Sequence, residues 1–543
     1  MKTTLLSFIF SFVFASAIIA QSINNDFFEK VNYIGAFDGV TDWTKNWTNF
    51  DPINAPYPEA TITKGNGQFS RAAGLQITAN ETWSGVIKLD GWVYVNAGAT
   101  LTVAEGTIIR GTEKSALVIE RGGKIMAVGT ESNPIVFTSN QGAGFRAQSN
   151  WAGLVICGKG INNNAGGEGI AEGGIDSPYG GTDNTDNSGE LKYIRIEFPG
   201  YEVATGKEIN GLTLYSVGSL TKINYVQVSY SGDDGFEWFG GAVNAKYLIS
   251  YKTEDDDFDT DNGYSGMVQF GLISRDNSIV DTDAANAFES DNDATGSTAE
   301  PFTKAIFSNI SAFGPSVSAT APATLAANHL GGAALRLRRN TRLQIYNSAF
   351  LGWGLGLRLE SDGSQTAANT DVLTVQNTII GGIRADKFRE DGTVFDASTL
   401  EDWYKAASRK NQLYVTNDEV KITAPFNYSN LNFAPAVGSP VFEASYWVPT
   451  SVNPVLNSNQ TQLVAYPNPF NGSTNIELQL ENPSDVRIFV TDISGRTVAD
   501  LQEGKLTAGK YRFVFDGTAL PKGFYFAKVI TGKEQKTVKM ISK

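Results

Sequence analysis

The sequence predicts an all-β chain: a right-handed parallel β-helix (a solenoid) followed by a small Ig-like β-sandwich. Three observations carry this. Residues 86–445 are built from strands of three to five residues separated by Gly or Asn corners, such as Trp92–Val95, Leu101–Val103, Leu117–Ile119 and Ile135–Phe137. Such strands are too short for an ordinary sandwich. A longer repeat overlies them: Tyr193, Tyr225, Tyr247 and Phe270 sit in similar hexapeptides, 32, 22 and 23 residues apart. That is the length of one solenoid coil, with longer gaps reading as inserted loops. From Gln462 the pattern changes to short alternating strands with their own turn signals. The rival fold is a propeller, whose blades would show longer hairpin strands about 40–50 residues apart.

Composition agrees and excludes several functions. The 543 residues include 56 Gly, and 41% are hydrophobic, so the chain is turn-rich yet able to bury a large core. The net charge of −14 argues against a nucleic-acid partner, since phosphates call for a basic face. One Cys (Cys157) and one His (His329) rule out a disulfide within the chain and leave too few ligands for a structural zinc.

Residues 1–20 read as a signal peptide. Lys2 precedes the apolar run Leu5–Phe14, and cleavage patterns follow at Ala15-Ser16-Ala17 and at Ala20. No other segment approaches the length of a membrane span, so the mature chain is expected to have no transmembrane segment. Residues 21–85 read as a lead-in, with Trp43, Trp47, Phe50 and Trp83 wrapping the first coil and protecting its open edge. Residues 86–445 are the coils, each of which buries its apolar row only against its neighbours. Asn309, Asn347 and Asn377 recur at one corner, where stacked amides can satisfy backbone groups left open by the bend. Ser398-Thr399-Leu400-Glu401 reads as a capping box opening a helix through about Arg409. Residues 446–461 read as a linker.

Residues 462–543 form a second module. Val486, Ile488 and Val490 alternate with Arg487, Phe489 and Thr491, and Asp492-Ile493-Ser494-Gly495 and Pro521-Lys522-Gly523 supply turns. About seven short strands over such a length suggest a small sandwich. The stretch Val464-Ala465-Tyr466-Pro467-Asn468-Pro469-Phe470 resembles the opening of the C-terminal sorting domain of the type IX secretion system of Bacteroidetes. So do Val486 to Arg496, Leu520 to Tyr525 and Lys536 to Met540, in the same order and spacing. The resemblance implies that Tyr466, Pro467, Asn468, Pro469, Gly495, Gly523 and Lys539 belong to a sorting signal read by the type IX machinery. It further implies export through the periplasm, then release or attachment to the outer cell surface.

The chemistry of the coils is less sharply written. Ser231–Asp293 holds 15 acidic and 3 basic residues. Phe236-Glu237, Phe258-Asp259 and Phe288-Glu289 recur 22 and 30 residues apart, with Asp261 and Asp291 two residues beyond the latter two acids. One coil apart means about 4.8 Å apart, and carboxylates stacked at that distance need protons or a cation. Oxygen-only ligands point to Ca2+. Within one coil Asp255, Asp257, Asp259 and Asp261 alternate, but this is no EF-hand: Gly263 comes one position late and Val268 stands where a bidentate Glu is required. The candidate Ca2+ ligands are therefore Asp255, Asp257, Asp259, Asp261, Glu237, Glu289 and Asp291, and the alternative is a solvated acidic face.

Trp238 and Tyr264 are the expected exposed rings for stacking on sugars, whereas Phe236, Phe258 and Phe288 read as core. Arg336 and Arg338 share a strand face, with Arg358 one coil on, either as counter-ions or as a site for an anionic polymer. His329 lies in a Gly/Ala-rich turn with no nucleophile motif near it. The expectation is a secreted module whose helix binds a polysaccharide or surface glycan, or serves adhesion. The alternatives are a Ca2+-dependent polysaccharide lyase or glycoside hydrolase, and a structural surface protein.

Overall fold

The computed structural model describes residues 26–203, 208–280, 284–316, 327–443, 462–466, 468–480, 482–493, 495–531 and 534–543. The signal peptide and the whole of the linker therefore lie outside the described residues, as does Pro467. The chain divides into two compact units, Met1–Val448 and Pro449–Lys543.

In the first unit two parallel sheets, of 17 and 11 strands among the described residues, wind around one continuous core. Alternation decides what enters it. Phe236, Phe258 and Phe288 stand in direct register and pack edge-to-face, with ring centroids 5.5 and 5.3 Å apart. The residues beside them, Glu237, Asp259 and Glu289, face outward in the same register. The recurring aromatic marks a bend. Tyr193, Tyr225, Tyr247, Phe270, Asn309, Asn347 and Asn377 all adopt positive φ, between 48° and 63°. Asn tolerates this left-handed conformation, whereas a Tyr or Phe there has to be held by its surroundings. Here the rings hold one another, stacked face to face at 4.5, 4.4 and 5.0 Å from Tyr193 to Phe270. Further along, Asn377 Nδ2 donates to Asn347 Oδ1 at 2.7 Å.

Two expectations are corrected. Residues 62–83 do not lead in to the first coil; they are a coil. Ile62–Gly65, Leu75–Ile77 and Glu81–Trp83 pair in parallel with Val86–Asp90, Trp92–Val95 and Thr100–Val103. Trp83 belongs to the core. Residues before them form a strap laid lengthwise over the bend. The Ile34 N–H donates to Val441 O and the Gly35 N–H to Asn347 O. Asn49 exchanges two hydrogen bonds with Gln227, and Arg110 donates to Pro58 O. Trp47 packs edge-on against Tyr193 and Tyr225, and Trp43 lies tilted against Tyr247. The strap pairs with scattered coils, so it carries no period from which its course could be read. The late helix runs Ala397–Lys405 and is capped by Asp396, not Ser398: Asp396 Oδ1 accepts from the Thr399 N–H, and Thr399 Oγ1 from the Asp396 N–H. The Asp396 carboxylate reaches the Thr399 N–H, and its negative charge suits a helix N-terminus.

The second unit has a three-stranded and a four-stranded antiparallel sheet. Val486, Ile488 and Val490 are buried, as their alternation requires, against Ile476, Phe515, Ala527 and Met540. Among the described residues no helix is long and apolar enough to cross a membrane.

Candidate functional site

The outer face of the 11-stranded sheet changes character along the axis. One ladder, each residue in register with the next, runs Val155, Thr213, Glu237, Asp259, Glu289, Arg336, Arg358, Arg389. Two residues on, Cys157, Tyr215, Phe239 and Asp261 form a parallel row, which Asp291 and Arg338 extend. The two rows form the floor of a cleft of about 410 Å3, lined by Tyr215, Glu237, Phe239, Asp259, Asp261, Glu289, Asp291, Arg338 and Arg339. An inserted loop with a small hairpin, Glu168–Ile170 paired with Pro178–Gly180, adds Glu172 and Tyr179.

At the basic end charges are matched. Arg336 bridges Glu289 and Glu360, each at 2.9 Å. Arg338 contacts Glu289 and bonds Asp291 at 2.9 Å, and Arg339 bonds the other Asp291 oxygen. The arginines thus serve as counter-ions to the last carboxylates. At the acidic end, no Arg or Lys among the described residues forms an ion pair with Glu237, Asp259 or Asp261. Burial is the main cause holding these carboxyls above their usual range. Neighbouring carboxylates add to it: Glu172 and Asp259 for Glu237, and Glu289 and Asp256 for Asp259. Asp261 is pushed up to about 7 by burial and by Asp291.

Behind this row runs a second ladder, at the corner two residues before each core aromatic or leucine: Asn210, Asp234, Asp256, Asn286. Each side-chain Oδ1 accepts the backbone N–H of the next coil: Asp234 to Asn210, Asp256 to Asp234, Asn286 to Asp256, and Ala333 to Asn286. Where the corner is Asn, the amide nitrogen is a donor: Asn210 Nδ2 donates outward to Glu237, and Asn286 Nδ2 donates to Asp256 Oδ1 at 2.9 Å, to Ala284 O at 3.0 Å and weakly to Glu289 at 3.5 Å. Where it is Asp, an oxygen faces other carboxylates instead. Asp234 groups with Glu237 and Asp259, and Asp256 with Asp259 and Glu289; in each trio the oxygens lie within 4.8 Å of one another. Asp233, Asp234 and Asp255 form a third such trio. Asp259 Oδ1 is buried with no hydrogen-bond partner. A hard cation, which takes six to eight oxygens, fits this donor set.

The expected site residues divide. Glu237, Asp259, Asp261, Glu289, Asp291 and Arg338 come together in the cleft, and Arg336 lies one step along the ladder. Asp255 stands at the corner with Asp233 and Asp234. Asp257 does not join them. Its carboxylate is fully buried, bonded by Arg275 Nε at 2.8 Å and by Ser250 Oγ, so its charge is already answered. Trp238 and Tyr264 are not exposed rings: both are fully buried, stacked on each other at 5.4 Å, with Tyr264 Oη donating to Val243 O. Trp238 shares the parity of Phe236, so a core Phe236 requires a core Trp238. The ring facing outward is Phe239, half-buried and stacked on Tyr215, which stacks in turn on Tyr179. Asp234 and Asp256 are not among the ligands expected from sequence, although the repeats Asn210-Gly211-Leu212, Asp234-Gly235-Phe236, Asp256-Asp257-Phe258 and Asn286-Ala287-Phe288 mark the corner. Glu172 and Tyr179 sit in a non-repeating insertion and left no such signal. His329 is buried, its pKa lowered to about 4 by burial and by Arg275, away from the cleft lining.

In the second unit Asn468 joins the two ends of the module. Its Nδ2 donates to Lys539 O at 2.6 Å and its Oδ1 accepts from the Ile541 N–H at 2.9 Å. Tyr466 ends the strand Gln462–Tyr466, and Pro469 is exposed. Gly495 holds positive φ in its turn, and Gly523 opens the strand Gly523–Thr531.

Residues 75–419 match the family described as pectate-lyase like beta helix domain. Residues 464–543 match the secretion system C-terminal sorting domain. No curated protein matches the chain.

Proposed function

The chain belongs to the pectate-lyase-like β-helix family and, as cargo of the type IX secretion system, is exported to be secreted or held at the cell surface; from that premise we propose that its helix binds glycans in the acidic cleft, with Ca2+ held among the carboxylates. The observation that supports this most is the convergence, in one cleft, of outward-facing Phe239 with Glu237, Asp259, Asp261 and Asp291. An aromatic face stacks on the apolar face of a pyranose, and carboxylates beside it accept hydroxyl hydrogen bonds. Glu237, Asp259 and Glu289, backed by Asp234 and Asp256, would hold the cation. Its charge would offset their repulsion and bring a bound sugar's oxygens into its coordination shell.

A catalytic reading has its own support. Asp261, near pKa 7 beside Asp291, can hold or release a proton at neutral pH. Arg338 lies in the same cleft, though its bonds to Glu289 and Asp291 leave it poorly suited as a base. One experiment separates the readings. The purified full chain is screened against plant, algal and host polysaccharides with Ca2+ or with EDTA, reading both retention and new reducing or unsaturated ends. Binding predicts Ca2+-dependent retention without new ends, lost in Phe239→Ala. New ends abolished by Asp261→Asn would establish an enzyme instead. Silence in both channels would overturn the glycan reading.

A further inference from the structure

The sorting unit carries a notch that its motif strings do not reveal. Two turns 25 residues apart in sequence meet there: the turn after strand Ser484–Asp492, with Ile493 and Arg496, and the turn before strand Gly523–Thr531, with Leu520, Pro521 and Lys522. Between them is a concavity of about 220 Å3, which Phe524 and Val498 also line. Ile493 is 76% exposed and Phe524 48%. Single exposed apolar side chains are ordinary, but two converging on one concavity mark a contact surface.

The notch is preformed. Arg496 Nε bonds Asp492 at 3.1 Å, and the Arg496 N–H donates to the same carboxylate, fixing the first turn. Tyr525, buried beneath, donates its hydroxyl to Pro521 O at 2.5 Å, fixing the second. The exposed side chains therefore stand on rigid supports, and little ordering entropy opposes docking. The rim is basic on balance: Asp492 and Arg496 line it as a pair, Lys522 lines it without an ion pair among the described residues, and Lys539 Nζ lies 4.7 Å from the Phe524 ring.

We infer that this notch is where the export machinery grips the sorting unit, through a machinery segment that inserts an apolar side chain flanked by carboxylates. The occupant's chemistry follows from complementarity: an apolar pocket excludes water from an apolar anchor, while a cationic rim steers and selects acidic neighbours.

The test uses the full chain expressed in its own cells. Ile493→Glu with Phe524→Glu is expected to lower the passenger outside the cell at least tenfold and to accumulate it in the periplasm. The purified variant should melt as the parent does, because both positions are surface ones. Lys522→Glu should lower export several-fold. Val514 is as exposed, at 62%, but does not line the notch, so Val514→Glu should be exported normally. A photo-crosslinker at position 493 should join the chain to a machinery subunit identified by mass spectrometry. Normal export of the double variant would overturn the inference. So would an equal defect in Val514→Glu, or a crosslink only to the passenger or to a second copy of the chain.

Discussion

Two outer faces of the same helix obey the same stacking rule with opposite energetic results. At the bend, Tyr193, Tyr225, Tyr247 and Phe270 repeat coil upon coil and their rings stack at 4.4–5.0 Å. On the neighbouring sheet, Glu237, Asp259 and Glu289 repeat in the same way and repel. Stacked aromatic pairs contribute about 0.5–1.5 kcal/mol each beyond their buried area. Stacked buried carboxylates cost energy until protonated or neutralised. The chain covers the favourable stack with its own strap and leaves the costly one in an open cleft. A parallel coil thus amplifies whatever residue it repeats, favourable or costly.

The largest effect is expected at the strap. Trp47 is fully buried against the Tyr193 and Tyr225 rings, so Trp47→Ala is expected to cost about 3–5 kcal/mol, read by chemical denaturation of the passenger. Next comes pH. The Asp261 carboxyl titrates near 7 in the fold and near its ordinary value unfolded. Its contribution is therefore complete below about pH 4 and is lost as pH rises toward 7, at about 1.4 kcal/mol per pH unit. In EDTA the helix should melt lower at pH 7 than at pH 5, and Ca2+ at pH 7 should restore it. An unchanged melting temperature would contradict both the buried-carboxylate reading and the cation.

A smaller effect follows from completing the corner ladder. Asp234→Asn with Asp256→Asn keeps the accepting oxygens and turns two repelling oxygens into donors. In EDTA this should stabilise the helix by about 1–3 kcal/mol while abolishing its response to Ca2+. The mildest change is Tyr225→Asn, which imitates the later coils. It loses two ring stacks and the Trp47 edge contact but relieves a left-handed Tyr, for a net loss of about 1 kcal/mol by thermal unfolding.

What was legible reflects what repeats. Phe236, Phe258 and Phe288 announced both the core row and the acidic row beside it, because register is periodic and alternation has period two. The same logic, carried one residue further, would have placed Trp238 inside and Phe239 outside. Asp257 was misread because its partner, Arg275, lies on the following coil and reaches back through a bend. Asp396 was missed as a cap because Ser398 offered an equally good local pattern.

The sequence alone determined the coil, its repeating core and the separate sorting module, since those rest on local alternation and on neighbours stacked at a constant interval. Only the tertiary structure decided where the strap lies, that the insertion bearing Glu172 and Tyr179 lines the cleft, which arginines neutralise which acids, and that two sorting turns form one notch. Those contacts join residues with no common period, and their geometry exists only once the solenoid has brought them within reach.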